Sequence, residues 1–111
     1  MEEVVYDTNE LIDFFKKSKL DITGFTTIFS LVEFPNAVKF EELTVIYPNL
    51  EDYDESVNLS LGLLQEGKQL PAIDILIAAM CIRRNLILYT KDNHFATIKS
   101  VRKSFKIELT K

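Results

Sequence analysis

The sequence lacks the features that mark secreted and membrane-spanning proteins. Its one cysteine, Cys81, cannot form an internal disulfide, which indicates a reducing compartment. No apolar run is long enough to span a bilayer, since the longest, residues 73–82, is interrupted by Asp74. The opening Met1-Glu2-Glu3 is acidic where a signal peptide carries positive charge. We therefore expect a cytoplasmic protein with no membrane partner.

Glycine and proline are also scarce, at three residues each, so the chain has little room for long loops or flexible linkers. Hydrophobic residues make up 47% of the chain and charged residues 27%, which excludes wholesale disorder. A length of 111 residues is enough for one domain with one core and too short for two. We expect a single domain over residues 1–111.

An excess of basic residues, which phosphate-binding surfaces usually show, is absent. The 17 acidic residues outnumber the 13 basic ones and give a net charge of −4. If four of the acids bound a metal ion, the remaining charges would balance, so composition leaves the partner open. Three basic clusters could contact a nucleic acid or could equally be solvated surface: Lys16, Lys17 and Lys19; Arg83 and Arg84; and Lys99, Arg102 and Lys103.

Four short segments have the composition of β-strands: residues 4–6, 44–47, 86–89 and 105–109. The third is continuously apolar, which is typical of a central parallel strand, and the fourth alternates as an edge strand does. Helical spacing predicts helices directly after Asp7 and over residues 25–38, 52–66, 72–84 and 93–104. Within the third helix one apolar stripe comprises Tyr53, Val57, Leu61 and Leu64. This alternation predicts an α/β fold with a mostly parallel sheet of about four to five strands and helices on both faces.

Acidic residues stand where such a sheet binds ligands, at the carboxyl ends of its strands. Asp7 follows the first strand, and Asp92 lies just past the strand at residues 86–89. Glu33 and Asp74 interrupt apolar helices, where an unpaired carboxylate is costly. Each acid also has an ordinary explanation: Asp7 and Asp74 can cap helices. Glu33 can reach solvent, and Asp92 can belong to a turn.

Four carboxylates in one pocket would repel one another unless a cation neutralised them. Oxygen ligands with no histidine or thiolate partners suit Mg²⁺ or Mn²⁺ rather than Zn²⁺. Acidic clefts of this kind handle phosphates through a metal that activates water and stabilises charge on the phosphoryl oxygens. As a set, the four acids predict a metal site that acts on phosphate groups.

The motifs that carry these acids resemble those of PIN domains, and most of all those of the toxin subunits of VapBC toxin–antitoxin pairs. The resemblance runs from Val4 to about Ile98, with all motifs in order. The motifs are Tyr6-Asp7-Thr8-Asn9, Glu33 in its apolar helix, Ile73-Asp74-Ile75-Leu76-Ile77-Ala78-Ala79, and Leu88-Tyr89-Thr90-Lys91-Asp92 followed by Phe95.

The resemblance implies a three-layer α/β/α fold and Mg²⁺- or Mn²⁺-dependent endoribonuclease cleavage of single-stranded RNA. It also implies a homodimer that is inhibited by an antitoxin protein with a segment inserted into the site. The residues that match the metal-binding, catalytic acids are Asp7, Glu33, Asp74 and Asp92; those that match polar supports are Thr8, Asn9 and Thr90. Lys91 adjoins Asp92 at the strand end, which makes it the basic residue best placed for RNA.

Two features depart from the family pattern. The family often has a second acid two residues after the Asp92 position, and here that place is held by His94. A lone histidine is more often a surface or loop residue than a catalyst, but it could also touch metal or phosphate. The chain between Glu33 and the strand at residue 44 is short, where many relatives carry a helical hairpin used in dimer contacts. The change to His94 affects a second metal site, and the short segment affects the usual dimer contacts and the usual antitoxin groove.

Three other functions compete with the toxin. The first is a housekeeping RNA-processing nuclease on the same fold, and the second is a non-catalytic module that binds RNA or protein. The third is a phospho-acceptor signalling domain, which usually has adjacent acids after its first strand. In this chain Asp7 is followed by Thr8-Asn9, and the strand at residues 44–47 ends at Pro48, so this alternative is set aside.

Overall fold

Residues 3–111 of the chain are described by a computed structural model. The strands are β1 (Val4–Tyr6), β2 (Gly24–Thr27), β3 (Leu43–Ile46), β4 (Ile87–Thr90) and β5 (Lys106–Leu109). The α-helices are α1 (Thr8–Lys16), α2 (Ile28–Glu33), α3 (Leu50–Gln65), α4 (Ala72–Arg84) and α5 (His94–Val101), and a 3-10 helix covers Pro35–Lys39.

The five strands form one sheet in the order β3-β2-β1-β4-β5, and every neighbouring pair is parallel. β1 lies at the centre and pairs with β4 along its whole length, so that Tyr6 lies opposite Tyr89. β5 is an edge strand, as its alternating sequence predicts. The predicted α/β fold with a parallel sheet is confirmed, and the sheet has five strands where about four to five were predicted.

Helices cover both faces of the sheet because successive strand residues point in opposite directions. Val5 packs into a core with side chains of α3, α4 and α5, whereas its neighbour Tyr6 packs against a second core that includes Leu11 of α1. The larger core contains Leu59, Leu63, Leu88, Phe95, Ile98 and Phe105, and the smaller contains Leu11, Ile22, Ala37 and Phe40. The three-layer α/β/α arrangement follows directly from this alternation.

Helix α4 has the predicted bounds, residues 72–84, and is the most buried helix of the described chain, with seven consecutive residues from Ile75 to Cys81 inside the core. It ends where Asn85 takes the left-handed conformation, with φ of 56°. Burial raises the pKa of the Cys81 thiol to about 12, so the thiol is neutral and serves packing.

The segment at residues 25–38 was predicted as one helix, and this prediction is wrong in its first part and its last. Gly24–Thr27 is strand β2, which pairs with β1 and β3. The backbone turns into α2 without a loop, because the Thr27 side chain caps the new helix by accepting from the Ser30 N–H. Pro35 ends the regular helix and begins the 3-10 turn.

The helix predicted over residues 93–104 is shorter, because Arg102 has extended backbone angles and α5 ends at Val101. Arg102 instead forms an ion pair with Glu55 of α3. The remaining predicted strands and helices are confirmed within a few residues at each end. No helix in the described residues 3–111 is long and apolar enough to cross a membrane.

The apolar stripe of α3 faces solvent. Leu59 and Leu63 supply the buried face of the helix, whereas the stripe residues are each exposed by half or more, and Leu50 at the helix start is exposed as well. The stripe comprises Tyr53, Val57, Leu61 and Leu64. A contiguous set of large apolar side chains on one helix face is typical of a surface that meets another protein.

Asp52 joins α3 to α4. Its side chain is fully buried, and it accepts hydrogen bonds from Arg83 at 2.9 Å and from Arg84 at 2.8 and 2.9 Å. Burial alone would raise the pKa of Asp52, but the hydrogen bonds from Arg84, from the Asn49 backbone and from Arg83 outweigh it and lower the pKa to about 2. One of the three basic clusters is therefore engaged inside the fold.

Candidate metal centre

A cleft of about 640 Å³ opens at the carboxyl edge of the sheet. All four predicted acids line it, together with three of the predicted supporting residues: Asp7, Glu33, Asp74 and Asp92, with Thr8, Asn9 and His94. Apolar side chains form the rest of the wall: Phe29, Val32, Pro71, Ile73 and Ile77. Residues that are up to 87 positions apart in sequence thus meet where parallel sheets bind ligands.

Asp7 is held at the centre of the cleft by both central strands. Its N–H donates to the Tyr89 carbonyl at 3.0 Å, which continues the β1–β4 pairing by one residue. Its Oδ1 accepts from the Thr8 N–H at 2.9 Å, so Asp7 is the N-cap of α1. Its Oδ2 accepts from the Thr90 hydroxyl at 2.7 Å. The capping explanation for Asp7 is therefore correct, and it coexists with a place in the cleft.

Thr90 organises two of the acids although it does not line the cleft. The residue is fully buried at the end of β4, and its hydroxyl oxygen accepts from the Asp92 N–H at 3.0 Å while its proton goes to Asp7. One hydroxyl therefore fixes the carboxylate of Asp7 and the backbone of Asp92 relative to each other.

Glu33 enters the cleft from the last residue of α2. The Thr8 hydroxyl lies 2.8 Å from Glu33 Oε1 and 3.0 Å from the Ser30 hydroxyl. A hydroxyl has one proton, so Thr8 donates to the carboxylate and accepts from Ser30. This chain of hydrogen bonds ties α2 to the first turn of α1, next to Asp7.

His94 lies between the two remaining acids. Its Nδ1 is 2.9 Å from Asp74 Oδ2 and 3.6 Å from Asp92 Oδ1, and the Asp92 carboxylate also accepts from the His94 N–H at 2.9 Å. The hydrogen bond to Asp74 and the charge of Asp92 raise the pKa of His94, which favours the imidazolium form. Asp74 lies in the first turn of α4 without serving as its N-cap, which is Pro71.

Within residues 3–111 the structure brings together three side chains that could hold a metal ion: one ligand atom each of Asp74, Asp92 and His94 lies within 4.8 Å of the others. Asp7 and Glu33 line the same cleft but do not belong to this group. Burial raises the pKa of Asp7, and the charges of Glu33 and Asp74 add to this, although hydrogen bonds from Thr90 and Thr8 act in the opposite direction. A carboxylate that is costly to ionise beside two others would be stabilised by a cation.

Lys91 lies outside the cleft. Its ammonium group is 2.9 Å from both Glu10 Oε2 and Asp13 Oδ2 of α1, and it donates to the Thr110 hydroxyl at 3.2 Å. Its neighbours Thr90 and Asp92 both act at the cleft. Of the predicted supporting residues, Lys91 alone neither lines the cleft nor has a side-chain hydrogen bond to a residue that does.

Sequence reasoning missed two parts of the site. Ser30 supports Thr8, but one serine in an apolar helix carries no signal that distinguishes it from any other. The apolar wall, which includes Phe29, Val32 and Ile73, looks like ordinary core in the sequence. Spacing could have placed Ser30 on the Glu33 side of α2, since residues three apart share a helix face.

Comparison with known proteins finds no matching family model and no matching curated sequence. Solved structures do match. One is VapBC2 from Rickettsia felis bound to a DNA fragment from their promoter, at 19% identity over 96% of this chain and 97% of that chain, with a TM-score of 0.72. DNA-bound VapBC from Salmonella typhimurium matches at 16% identity over 97% and 98%, with a TM-score of 0.74. A toxin–antitoxin complex from Klebsiella pneumoniae matches at 19% identity over 82% and 88%, with a TM-score of 0.63.

At these identities the comparisons establish the fold. The chain has an α/β PIN-like fold, a five-stranded parallel sheet between helices, and its structural neighbours are chains of VapBC toxin–antitoxin complexes over nearly the whole chain length. The resemblance that the sequence motifs indicated is thereby confirmed in the architecture.

Proposed function

We propose that the chain is a divalent-metal-dependent endoribonuclease that cleaves single-stranded RNA, and that it acts as the toxin of a type II toxin–antitoxin pair. One observation carries this proposal: Asp7, Glu33, Asp74 and Asp92 line one cleft at the carboxyl edge of the parallel sheet. The VapBC structural neighbours support it at the level of the fold.

In this proposal the four acids, with His94 beside two of them, hold Mg²⁺ or Mn²⁺. The metal would supply an activated water and would stabilise negative charge on the phosphoryl oxygens. Thr90 keeps the Asp7 carboxylate oriented through the 2.7 Å hydrogen bond, and Thr8 does the same for Glu33 at 2.8 Å. Asn9 lies in the cleft wall, where its amide can bind a phosphate oxygen or water.

The shape and chemistry of the cleft favour single-stranded RNA. It has a volume of about 640 Å³, and its apolar wall includes Phe29, Val32 and Ile73. Unpaired bases can be splayed against such side chains, whereas bases inside a duplex are stacked and out of reach.

The direct test is cleavage of a mixed panel of single-stranded RNAs in Mn²⁺, Mg²⁺ or EDTA. We expect cutting in metal, none in EDTA, and a loss of at least about 100-fold for Asp7→Asn. Asp54→Asn is the matched control, because Asp54 is an exposed acid on α3 outside the cleft. Cutting that survives both EDTA and Asp7→Asn contradicts the proposal, and folded protein that binds RNA without cutting in any metal favours the binding module.

The proposed partners are an antitoxin and a second copy of the chain. The structural neighbours are chains of toxin–antitoxin complexes, which supports an antitoxin. The exposed stripe of α3 supports a protein interface on the helical face of the molecule. The segment after Glu33 is a 3-10 turn over Pro35–Lys39 rather than a hairpin, so we place the homodimer contact on α3.

A further inference from the structure

A second polar cluster lies at the carboxyl edge of the sheet, outside the cleft. It consists of Glu10 and Asp13 on α1, Lys91 after β4 and Thr110 after β5. Glu10 is 7% exposed, so its carboxylate is buried, and both Lys91 and the Thr110 hydroxyl donate to its Oε2, at 2.9 and 2.7 Å. A buried carboxylate with two donors on one oxygen is a defined structural contact rather than a mobile surface pair.

This cluster connects the two backbone segments that carry the proposed metal ligands. Glu10 lies in the first turn of α1, three residues after Asp7, and Lys91 stands between Thr90 and Asp92. The Thr110 N–H also donates to the Thr90 carbonyl at 2.8 Å, so a backbone hydrogen bond joins the end of β4 to the residue after β5. The Glu10–Lys91 contact therefore links α1 to the segment from Thr90 to Asp92.

We propose that the Glu10–Lys91 ion pair is a positioning contact that sets the separation of Asp7 and Asp92, and so tunes the metal affinity and turnover of the nuclease. The inference rests on the proposed function. The ion pair touches neither metal nor substrate in this account; it acts through Thr90 and Asp92. Supporting contacts of metal ligands typically contribute about 10- to 100-fold to metal affinity or activity.

The rival role for Lys91 is direct contact with RNA, which its place beside Asp92 suggested. In the structure the ammonium group already has two carboxylates and a hydroxyl as partners, so contact with a phosphate would require it to leave them. The two roles predict opposite effects of Glu10→Gln. Loss of the pairing charge would free Lys91 and lower the KM if it contacts RNA, but would impair the metal site if it positions Asp92.

The test compares Lys91→Gln, Lys91→Arg and Glu10→Gln with the wild type in two assays. The first is Mn²⁺ affinity in the absence of RNA, measured from the electron paramagnetic resonance signal of free Mn²⁺, and the second is kcat and KM for a cleaved RNA. Lys68→Gln is the matched control, since it removes one positive charge from an exposed side chain outside the cleft and outside the cluster. We expect Lys91→Gln and Glu10→Gln to weaken Mn²⁺ binding and lower kcat by about tenfold with KM within about twofold. Lys91→Arg should restore most of both, and Lys68→Gln should match the wild type.

The inference is overturned if Mn²⁺ affinity and kcat in both Gln variants equal those of the wild type, even where their melting temperatures fall. It is also overturned if Lys91→Gln raises only the KM while Glu10→Gln lowers it. If a Gln variant does not fold, Thr110→Val removes only one hydroxyl from the cluster and should weaken Mn²⁺ binding in the same direction. Absence of RNA cleavage by the wild type contradicts the proposed function alone, because the Mn²⁺ comparison still stands; absence of Mn²⁺ binding by the wild type overturns both.

Discussion

In the candidate site, Thr90 supports two of the proposed metal ligands with one side chain. One buried hydroxyl donates to the Asp7 carboxylate and accepts from the Asp92 N–H, so that two proposed ligands from distant parts of the sequence share a support. Thr90 is the last residue of β4, which pairs with β1, and its side chain points toward Asp7 at the end of β1. A support of this kind sets ligand orientation without touching metal itself.

Thr90→Val should therefore impair both stability and activity. The substitution keeps the shape but leaves Asp7 Oδ2 and the Asp92 N–H without their partner, at a cost of about 1–3 kcal/mol in the free energy of unfolding. We expect RNA cleavage to fall by about 10- to 100-fold. Thr90→Ser, which retains the hydroxyl, is the control and should stay near wild type. Denaturant unfolding and cleavage rates measure the two effects, and equal activity of Thr90→Val and Thr90→Ser would contradict the role of the hydroxyl.

Asp52 acts at a distance from the cleft and contributes to stability through its pKa. The folded-state pKa of about 2 lies below the ordinary value of 3.8, so the ionised form is favoured in the folded protein. Such a group stabilises the fold fully above its ordinary pKa, and this stability is lost as the pH falls from about 4 toward about 2. The shift corresponds to roughly 2 kcal/mol at neutral pH.

Unfolding of the wild type and of Asp52→Asn at a series of pH values measures this contribution. We expect Asp52→Asn to be less stable at pH 6, and the gap in the free energy of unfolding to narrow as the pH falls from about 4 to about 2. Asp54→Asn, an exposed neighbour on the same helix, should show no such narrowing. A gap that stays constant over this range would show that Asp52 is not the group that titrates.

At the scale of elements, helix α3 has two different faces. Leu59 and Leu63 pack into the core, whereas the stripe that contains Val57 and Leu61 is exposed. The sequence pattern located the helix and the stripe but could not tell which face is buried, because the helix carries apolar residues on both. The core buries one face of α3, and the apolar stripe on the other face stays exposed, as on surfaces that bind other proteins.

We expect the isolated chain to form a dimer through α3, and Val57→Asp to convert it to a monomer. A charge at the centre of an apolar interface would lose its hydration on association, so the dimer would be destabilised while the exposed position costs the monomer little. Asn58→Asp adds the same charge one residue away, off the stripe, and should leave the dimer intact. Light scattering on gel-filtration peaks separates the outcomes; a monomeric wild type, or a dimeric Val57→Asp, would contradict the placement.

At the scale of the whole molecule, the sequence predicted the parallel α/β architecture and the positions of most elements. Helix α4 was predicted with its observed bounds because it is apolar all round and lies between Pro71 and Asn85. Strand β2 was missed because it is four residues long and runs into α2 without a loop, so the helical spacing beyond Thr27 extends backward over it. Short range patterns cannot separate two elements that share a boundary residue.

The acids of the candidate site were found from strand ends and from motif resemblance, and the cleft contains all four. Their supporting contacts could not be predicted in the same way. Whether Thr90 or Lys91 faces Asp7 depends on the direction of each side chain at the end of β4, and that direction alternates with every residue. The pairing of Lys91 with Glu10 also depends on where α1 packs over the sheet, which no local pattern encodes.

If the carboxyl edge of this sheet binds a metal, as we propose, crystallography can locate the ion. Crystals grown with Mn²⁺ and measured at the manganese absorption edge would give an anomalous difference map that marks the ion. We expect the strongest peak inside the cleft, among the carboxylates of Asp7, Glu33, Asp74 and Asp92, and its disappearance in Asp7→Asn. A map with no peak in the cleft at saturating Mn²⁺, or with its peak outside the cleft in the wild type, would contradict the account.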